Sequence, residues 1–104
     1  MKTSELTGAA LDWAVTCCDQ PDHTADVWRM FRNECNYSTD WAQGGPIIER
    51  EKLATNFSAK RGCWFAENFL ETYVESGPTP LIAAMRCYVA SKLGDEVDVP
   101  EELK

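Results

Sequence analysis

Long apolar runs are missing from this chain of 104 residues. A membrane-spanning helix needs about 20 predominantly apolar residues, and the N-terminal segment interrupts its apolar positions with Glu5, Thr7 and Asp12. We therefore expect neither a membrane span nor a secretory signal. The sequence predicts a soluble protein that stays in a cytoplasm.

Basic side chains are scarce as well. Ten lysines and arginines stand against seventeen aspartates and glutamates, which gives a formal net charge of −7 and a pI near 4.6. The resulting field repels phosphates and anionic lipid head groups. We therefore expect neither nucleic acid nor a membrane surface as a partner.

Histidine occurs once, at His23, and the five cysteines follow no recognised metal or disulfide pattern. Cysteines in a reducing compartment behave as small buried hydrophobes, so we expect no disulfides. Cys17, Cys18 and Cys35 form a conceivable ligand set with His23, but structural zinc sites usually pair ligands roughly two to four residues apart. Adjacent cysteines also point about 100° apart on a helix, which hinders joint chelation. We predict no metal site and no cofactor.

The chain does contain enough apolar surface for one core. Its hydrophobic fraction is 44% and its aromatic fraction is 11%, with four tryptophans, which is enough to offset the chain entropy that keeps polar segments disordered. The length is near that of one domain. We predict a single α+β domain over residues 1–94, followed by an acidic C-terminal tail over residues 95–104 that is extended or frayed.

The first amphipathic helix is predicted over residues 4–18. Its apolar residues recur three, four and seven positions apart, which is the spacing of one helical stripe. Thr3 or Ser4 can supply the N-cap oxygen. Gly8 lowers the helix propensity and is expected to permit a close approach to another backbone.

The last helix has the clearest local signal in the sequence. Thr79 offers a capping hydroxyl, and Pro80 follows at the first helical position, where its missing N–H does no harm. Apolar residues then continue at helical spacing. We predict a helix over residues 79–93 that Gly94 ends in the left-handed conformation.

The segment from Tyr37 to Lys52 permits two structures. In one, a helix capped near Thr39 continues through a kink at Pro46; in the other, residues 38–45 form a loop and Pro46 takes the first helical position. We favour the helix that begins near Thr39, because Pro46 then lies close enough to the start to lose only one backbone hydrogen bond.

Short aromatic segments predict the sheet. Residues 62–67 and 71–75, bounded by Asn68 and Gly77, are typical of a β-hairpin. Residues 27–32 favour neither the helical nor the strand period clearly, and we predict a short strand there. Two to three helices with this small antiparallel sheet predict an α+β fold, a two- or three-layer α/β sandwich.

Four blocks of the sequence resemble a known family. They are residues 5–15, residues 38–51, the lone Trp64, and residues 77–97. In this order they closely resemble the NinX-like family of small tailed-phage and prophage proteins, over about half of the chain. A looser similarity to phage α/β/α sandwich domains implies the same architecture. The resemblance implies a phage origin and a fold, and it implies no biochemical activity.

No set of residues is typical of a catalytic centre. The one histidine lies in a turn that is predicted to be solvated, which disfavours a Cys-His pair. Gly44 and Gly45 lack the Lys-Ser/Thr of a phosphate loop. Asp40, Glu49 and Glu51 have the carboxylates of a divalent-ion site, but their spacing spreads them around a helix, so a solvated face is favoured.

Five residues are better candidates for recognition, because tryptophan and arginine provide much of the energy at interface hot spots. The predicted binding residues are Asp40, Trp41, Arg50, Trp64 and Arg86. The competing interpretation, which we favour, places both tryptophans in the core and pairs both arginines with local carboxylates.

We predict from these observations a non-enzymatic phage accessory protein of the bacterial host cytoplasm that binds a host or phage protein. One alternative is a small nucleotide- or metal-dependent enzyme or binding protein that uses residues 40–50. Another is an acidic mimic of nucleic acid. A homodimer is a further expectation, because a small sandwich often leaves a sheet face or edge that needs cover.

Overall fold

A computed structural model describes residues 1–22 and 24–104, which form four α-helices and one antiparallel sheet. The predicted α+β class is confirmed. The elements in chain order are α1 (Gly8–Asp19), α2 (Ala25–Phe31), α3 (Trp41–Glu51), β1 (Ala54–Ser58), β2 (Cys63–Glu67), β3 (Val74–Gly77) and α4 (Pro80–Leu93). Single 3₁₀ turns occur at Thr3–Glu5, Arg32–Glu34 and Glu101–Leu103. None of the described helices is both long and apolar enough to cross a membrane.

Helix α4 lies at the centre of the fold. It packs on all three strands and also on α1 and α3, so that it forms a middle layer between the sheet and the other helices. The predicted start is confirmed, since the Thr79 hydroxyl accepts a hydrogen bond from the Ile82 N–H at 3.1 Å. Gly94 has φ +84° and ψ −159°. This extended, glycine-specific conformation differs from the left-handed helical conformation that was predicted.

The predicted hairpin is confirmed as β2 and β3, which pair antiparallel with Trp64 opposite Gly77. Strand β1 is not predicted by the sequence analysis; it pairs with the other side of β2 and places Phe57 opposite Trp64. Strand β1 is an edge strand with mostly exposed residues. It therefore lacks the alternation of buried and exposed residues that identifies a strand in a sequence.

The prediction of a strand over residues 27–32 is wrong, because most of this segment belongs to helix α2. The Thr24 hydroxyl caps the helix by accepting a hydrogen bond from the Val27 N–H at 3.3 Å. Trp28 is buried and packs edge-to-face on Trp13, with ring centroids 5.7 Å apart. A cap and one anchoring side chain thus outweigh the β propensity of these residues.

Helix α1 begins later than predicted. Thr3 does not cap it, because its buried hydroxyl donates a hydrogen bond to the Gly94 carbonyl at 2.7 Å, and the helix starts at Gly8 with φ +55°. A Cβ atom built at Gly8 would meet nothing within 4 Å. The predicted close backbone approach at this glycine is therefore wrong; the glycine allows the positive φ.

Helix α3 contains Pro46 in its interior, as in the favoured alternative. Asp40 caps it, with Oδ1 accepting a hydrogen bond from the Ala42 N–H at 2.9 Å. The close approach in this part of the fold is at Gly44, where a Cβ would lie 2.6 Å from Leu81 Cδ1 and closer still to the Tyr37 carbonyl oxygen.

The segment predicted as the acidic tail lies against the domain. Val97 and Val99 are buried in the core, and the Trp13 indole N–H donates to the Asp98 carbonyl at 3.1 Å. Arg29 of α2 donates from Nε to a Glu102 oxygen at 2.7 Å. The segment therefore contacts both α1 and α2.

Candidate functional site

The five predicted binding residues lie in different places. Asp40 and Trp41 stand together at the start of α3, and Trp41 is 54% exposed. Trp41 borders a cavity of about 180 Å³ that also contacts Thr79 and Ile82 at the start of α4. Trp41 is therefore outside the core, contrary to the interpretation that the sequence favoured.

Trp64 is half-buried on β2 and packs against the core. Its ring meets that of Phe57 edge-to-face, with centroids 5.2 Å apart. The prediction that Trp64 lies in the core is therefore only partly correct. Its ring also packs on Phe57, which is an exposed side chain on the edge strand.

Arg50 belongs to an ion-pair network that joins the C-terminal ends of three helices. Its guanidinium lies 2.9 Å from Asp19 and 2.9 Å from Glu51 and donates to the Tyr88 hydroxyl at 3.1 Å. Glu51 also pairs with Lys92 at 3.3 Å. The hydrogen bond from Arg50, together with Lys92, lowers the pKa of Glu51, while burial raises the pKa of Tyr88 to about 12. Arg50 thus pairs with local carboxylates, as the sequence analysis predicts.

Arg86 bonds to main-chain carbonyls. Its Nε donates to the Leu6 carbonyl and its Nη1 to the Ser76 carbonyl, both at 2.7 Å. Burial lowers the pKa of the guanidinium, and Glu75 acts in the opposite direction. Arg86 therefore ties α4 to β3 and to the segment before α1, and its donors point into the domain.

Sequence reasoning missed the most exposed apolar feature of the sheet, which is the connection between β2 and β3. Phe69 is 69% exposed and Leu70 is 72% exposed, side by side. We call residues 68–73 the Phe69–Leu70 loop. The available signal was compositional, since two large apolar residues occupy a hairpin turn where glycine, asparagine, aspartate and serine are usual.

The Phe69–Leu70 loop is held in one conformation by Asn68. The side-chain oxygen of Asn68 accepts hydrogen bonds from the backbone N–H groups of Thr72 at 2.9 Å and Tyr73 at 2.8 Å. Its side-chain NH₂ donates to the Thr72 hydroxyl at 2.8 Å. Glu71 adopts φ +57°, a left-handed conformation that is unfavourable for a residue with a Cβ atom. The backbone of the loop is therefore fixed by its own contacts while its apolar side chains stay in water.

A cavity of about 420 Å³, which we call the hollow, lies beside this loop. It is lined by Glu51, Leu53, Asn68, Phe69, Leu70, Thr72, Tyr73, Ser91 and Lys92. The hollow thus lies between the loop and the C-terminal ends of α3 and α4, next to the ion-pair network. An apolar protrusion and a recess with both polar and apolar lining residues share one surface.

The chemistry of the remaining candidates is limited. Asp40 is engaged as a helix cap and Glu51 in ion pairs, and the described residues include no group of three side chains placed to hold a metal ion. All five cysteines are free thiols. Burial raises the pKa of Cys18 to about 12 and that of Cys87 to about 11, the opposite of what a thiolate nucleophile requires. His23, the fourth member of the conceivable ligand set, lies outside the described residues.

Comparison with known protein families gives a match over most of the chain. The family model described as "Bacteriophage P22, NinX" matches residues 2–92, which is most of the chain. No curated protein matches it. The resemblance that the sequence blocks indicated is confirmed.

Proposed function

The chain belongs to the NinX family of bacteriophage P22, and from that premise we propose that it is a non-enzymatic accessory protein that binds a host or phage protein in the cytoplasm of the infected bacterium. The observation that carries the proposal is the Phe69–Leu70 loop. This loop is fixed by hydrogen bonds and presents two large apolar side chains to water.

Exposed apolar side chains of this size favour association. Full burial of a phenylalanine or leucine side chain stabilises a complex by roughly 1.5–3 kcal/mol. A loop whose backbone is already ordered by hydrogen bonds loses little conformational entropy when it binds, so more of that stabilisation remains as affinity. Phe69 and Leu70 therefore have the properties of a binding hot spot.

The state of the polar side chains supports binding over catalysis. Arg50 and Arg86 are engaged in contacts within the chain, and the buried thiols of Cys18 and Cys87 have raised pKa values. A catalytic centre usually contains groups whose pKa values are shifted toward neutrality. With these polar groups engaged, the exposed apolar surface is what remains available to bind a partner.

The proposal is tested by site-specific photocrosslinking in infected cells. A photoreactive amino acid replaces Phe69, and crosslinked proteins are identified by mass spectrometry. We expect one recurrent phage or host protein among the crosslinked products. In a pull-down without the photoreactive residue, the parent protein should recover the same partner, and the Phe69→Ser/Leu70→Ser double variant should not. Met30→Ser is the matched control, because Met30 is 75% exposed on α2, a helix outside this surface. Absence of a recurrent crosslink, or equal recovery by the double variant, would refute the proposal.

A further inference from the structure

We propose that the Phe69–Leu70 loop and the hollow together bind a basic peptide segment of the partner, one that inserts an apolar side chain into the hollow and places lysine or arginine against the carboxylates of Glu67 and Glu71. This inference rests on the proposed function and adds the chemistry of the partner. It is carried by the contacts inside the hollow and by the charges of the residues that adjoin Asn68 and Leu70 in the chain.

The polar groups that line the hollow already have partners. Glu51 pairs with Arg50 and Lys92, Asn68 and Thr72 bond to each other, and the Ser91 hydroxyl donates to the Tyr88 carbonyl at 2.7 Å. A polar ligand in the hollow would have to compete with these bonds. An apolar side chain has no such requirement and would contact the remaining lining residues, which are Leu53, Phe69, Leu70 and Tyr73.

The charges beside the apolar loop are acidic and unpaired. Glu67 ends β2 immediately before the loop, and Glu71 lies within it. Neither forms an ion pair with any residue that the structure describes, whereas Glu51 nearby has two cationic partners. Two free carboxylates around an apolar protrusion complement lysine and arginine on the partner.

The same charges argue against a second copy of this chain as the occupant. Each copy has a formal net charge of −7, and a two-fold interface through the loop would bring the Glu67 and Glu71 carboxylates of both copies together. Like charges at an interface disfavour that pairing. A basic segment instead gains from both the local carboxylates and the long-range field of the chain.

Peptide selection tests the inference without knowledge of the natural partner. A library of short random peptides is selected on the immobilised full chain, with counter-selection on the Phe69→Ser/Leu70→Ser variant, and the dissociation constants of selected peptides are measured by fluorescence anisotropy at low and high salt. We expect sequences that combine lysine or arginine with a large apolar residue. We expect their affinity to fall on the order of 100-fold in the double variant, since two apolar side chains are removed from the interface.

Charge is tested separately from apolar contact. The Glu67→Gln/Glu71→Gln variant should bind these peptides roughly fivefold more weakly, which is the size expected for two exposed ion pairs, and its affinity should depend less on salt. Glu34→Gln/Glu49→Gln is the matched control, which removes the same charge from residues that belong neither to the loop nor to the sheet, and it should retain most of the affinity.

Four results would overturn the inference. Selected peptides without an excess of basic residues, or with no response to salt and to the Glu67→Gln/Glu71→Gln variant, would exclude the proposed partner chemistry. Failure to enrich any peptide would exclude it as well. A dimer in sedimentation that the Phe69→Ser/Leu70→Ser variant abolishes would assign the hollow to a second copy. The in-cell crosslink at position 69 reports on the proposed function independently of these results.

Discussion

Gly44 and Gly45 are adjacent residues of α3, yet their replacement by alanine should affect stability very differently. Alanine is favoured over glycine in a helix by about 1 kcal/mol, so helix propensity alone predicts that both variants are more stable. The space around each glycine differs, however, and this difference determines the effect of each substitution on stability.

At Gly44 a Cβ atom would lie 2.6 Å from Leu81 Cδ1 and closer still to the Tyr37 carbonyl oxygen. Overpacking costs roughly 1–3 kcal/mol, and a backbone carbonyl has little freedom to move, which places this site at the upper end of that range. After the gain in helix propensity, we expect Gly44→Ala to lower the free energy of unfolding by about 2 kcal/mol. For a chain of this length that lowers the melting temperature by roughly 9 °C.

At Gly45 the nearest atom to a new Cβ is Trp41 Cε3, at the ordinary contact distance of 3.8 Å. The gain in helix propensity is partly cancelled because the residue precedes Pro46, and proline disfavours the helical conformation of the residue before it. We expect Gly45→Ala to change the free energy of unfolding by less than about 1 kcal/mol, which makes this variant the matched control for Gly44→Ala.

Urea-induced unfolding, followed by tryptophan fluorescence, measures both variants. The midpoint should fall for Gly44→Ala while the m-value stays unchanged, since the extent of burial is the same. A loss smaller than about 0.5 kcal/mol for Gly44→Ala, or equal effects of the two substitutions, would refute the packing argument.

Three further predictions concern single side chains. Arg86→Met should lower the free energy of unfolding by about 2–4 kcal/mol, because two carbonyls lose charge-assisted hydrogen bonds; urea titration checks this, and an unaffected midpoint would contradict it. Lys52→Gly should raise the free energy of unfolding by up to about 1 kcal/mol, because Lys52 ends α3 in the left-handed conformation at φ +55°; thermal unfolding checks it, and a lower melting temperature would count against it. Glu51→Gln should destabilise the protein at neutral pH, and the difference from the parent should shrink as the pH falls below 4.5: the folded pKa of Glu51 is lowered, so its contribution is present above the ordinary value and lost in acid. Unfolding across a pH series measures this, and a difference that persists in acid would show that the ion pairs are not its source.

Helix α4 could be predicted from the sequence because its signals are local. The Thr79 cap and Pro80 at the first position act within a single turn, and their effect does not depend on the rest of the fold. The continuation of α3 through Pro46 could be predicted for the same reason. The initial 3₁₀ turn could not, because the Thr3 hydroxyl bonds to Gly94, a residue 91 positions away.

Elements that depend on distant contacts escaped prediction. Strand β1 exists because β2 pairs with it, and its own residues show little alternation. Helix α2 is only seven residues long, which is too short to be stable by propensity alone, and it depends on the insertion of Trp28 beside Trp13.

The proposed binding surface is the part that could be predicted least from the sequence. Trp41, Arg50 and Arg86 were chosen by residue type, but the two arginines are engaged with Asp19, Glu51 and main-chain carbonyls. The exposure of Phe69 depends on how Asn68 folds the loop back onto β3. The type of a residue indicates which contacts its side chain can form. Only the fold determines whether those contacts are already formed within the chain or remain available to a partner.

The central position of α4 has a consequence for how the chain acquires its structure during synthesis. Helices α1 and α3 and all three strands pack on an element that begins only at Pro80, so all of them are synthesised before their common partner. Until then their apolar stripes have no native surface to cover them. These elements must therefore wait for α4 to leave the ribosome before they can pack natively, and a chain that stops short of α4 would expose its core to cellular proteases.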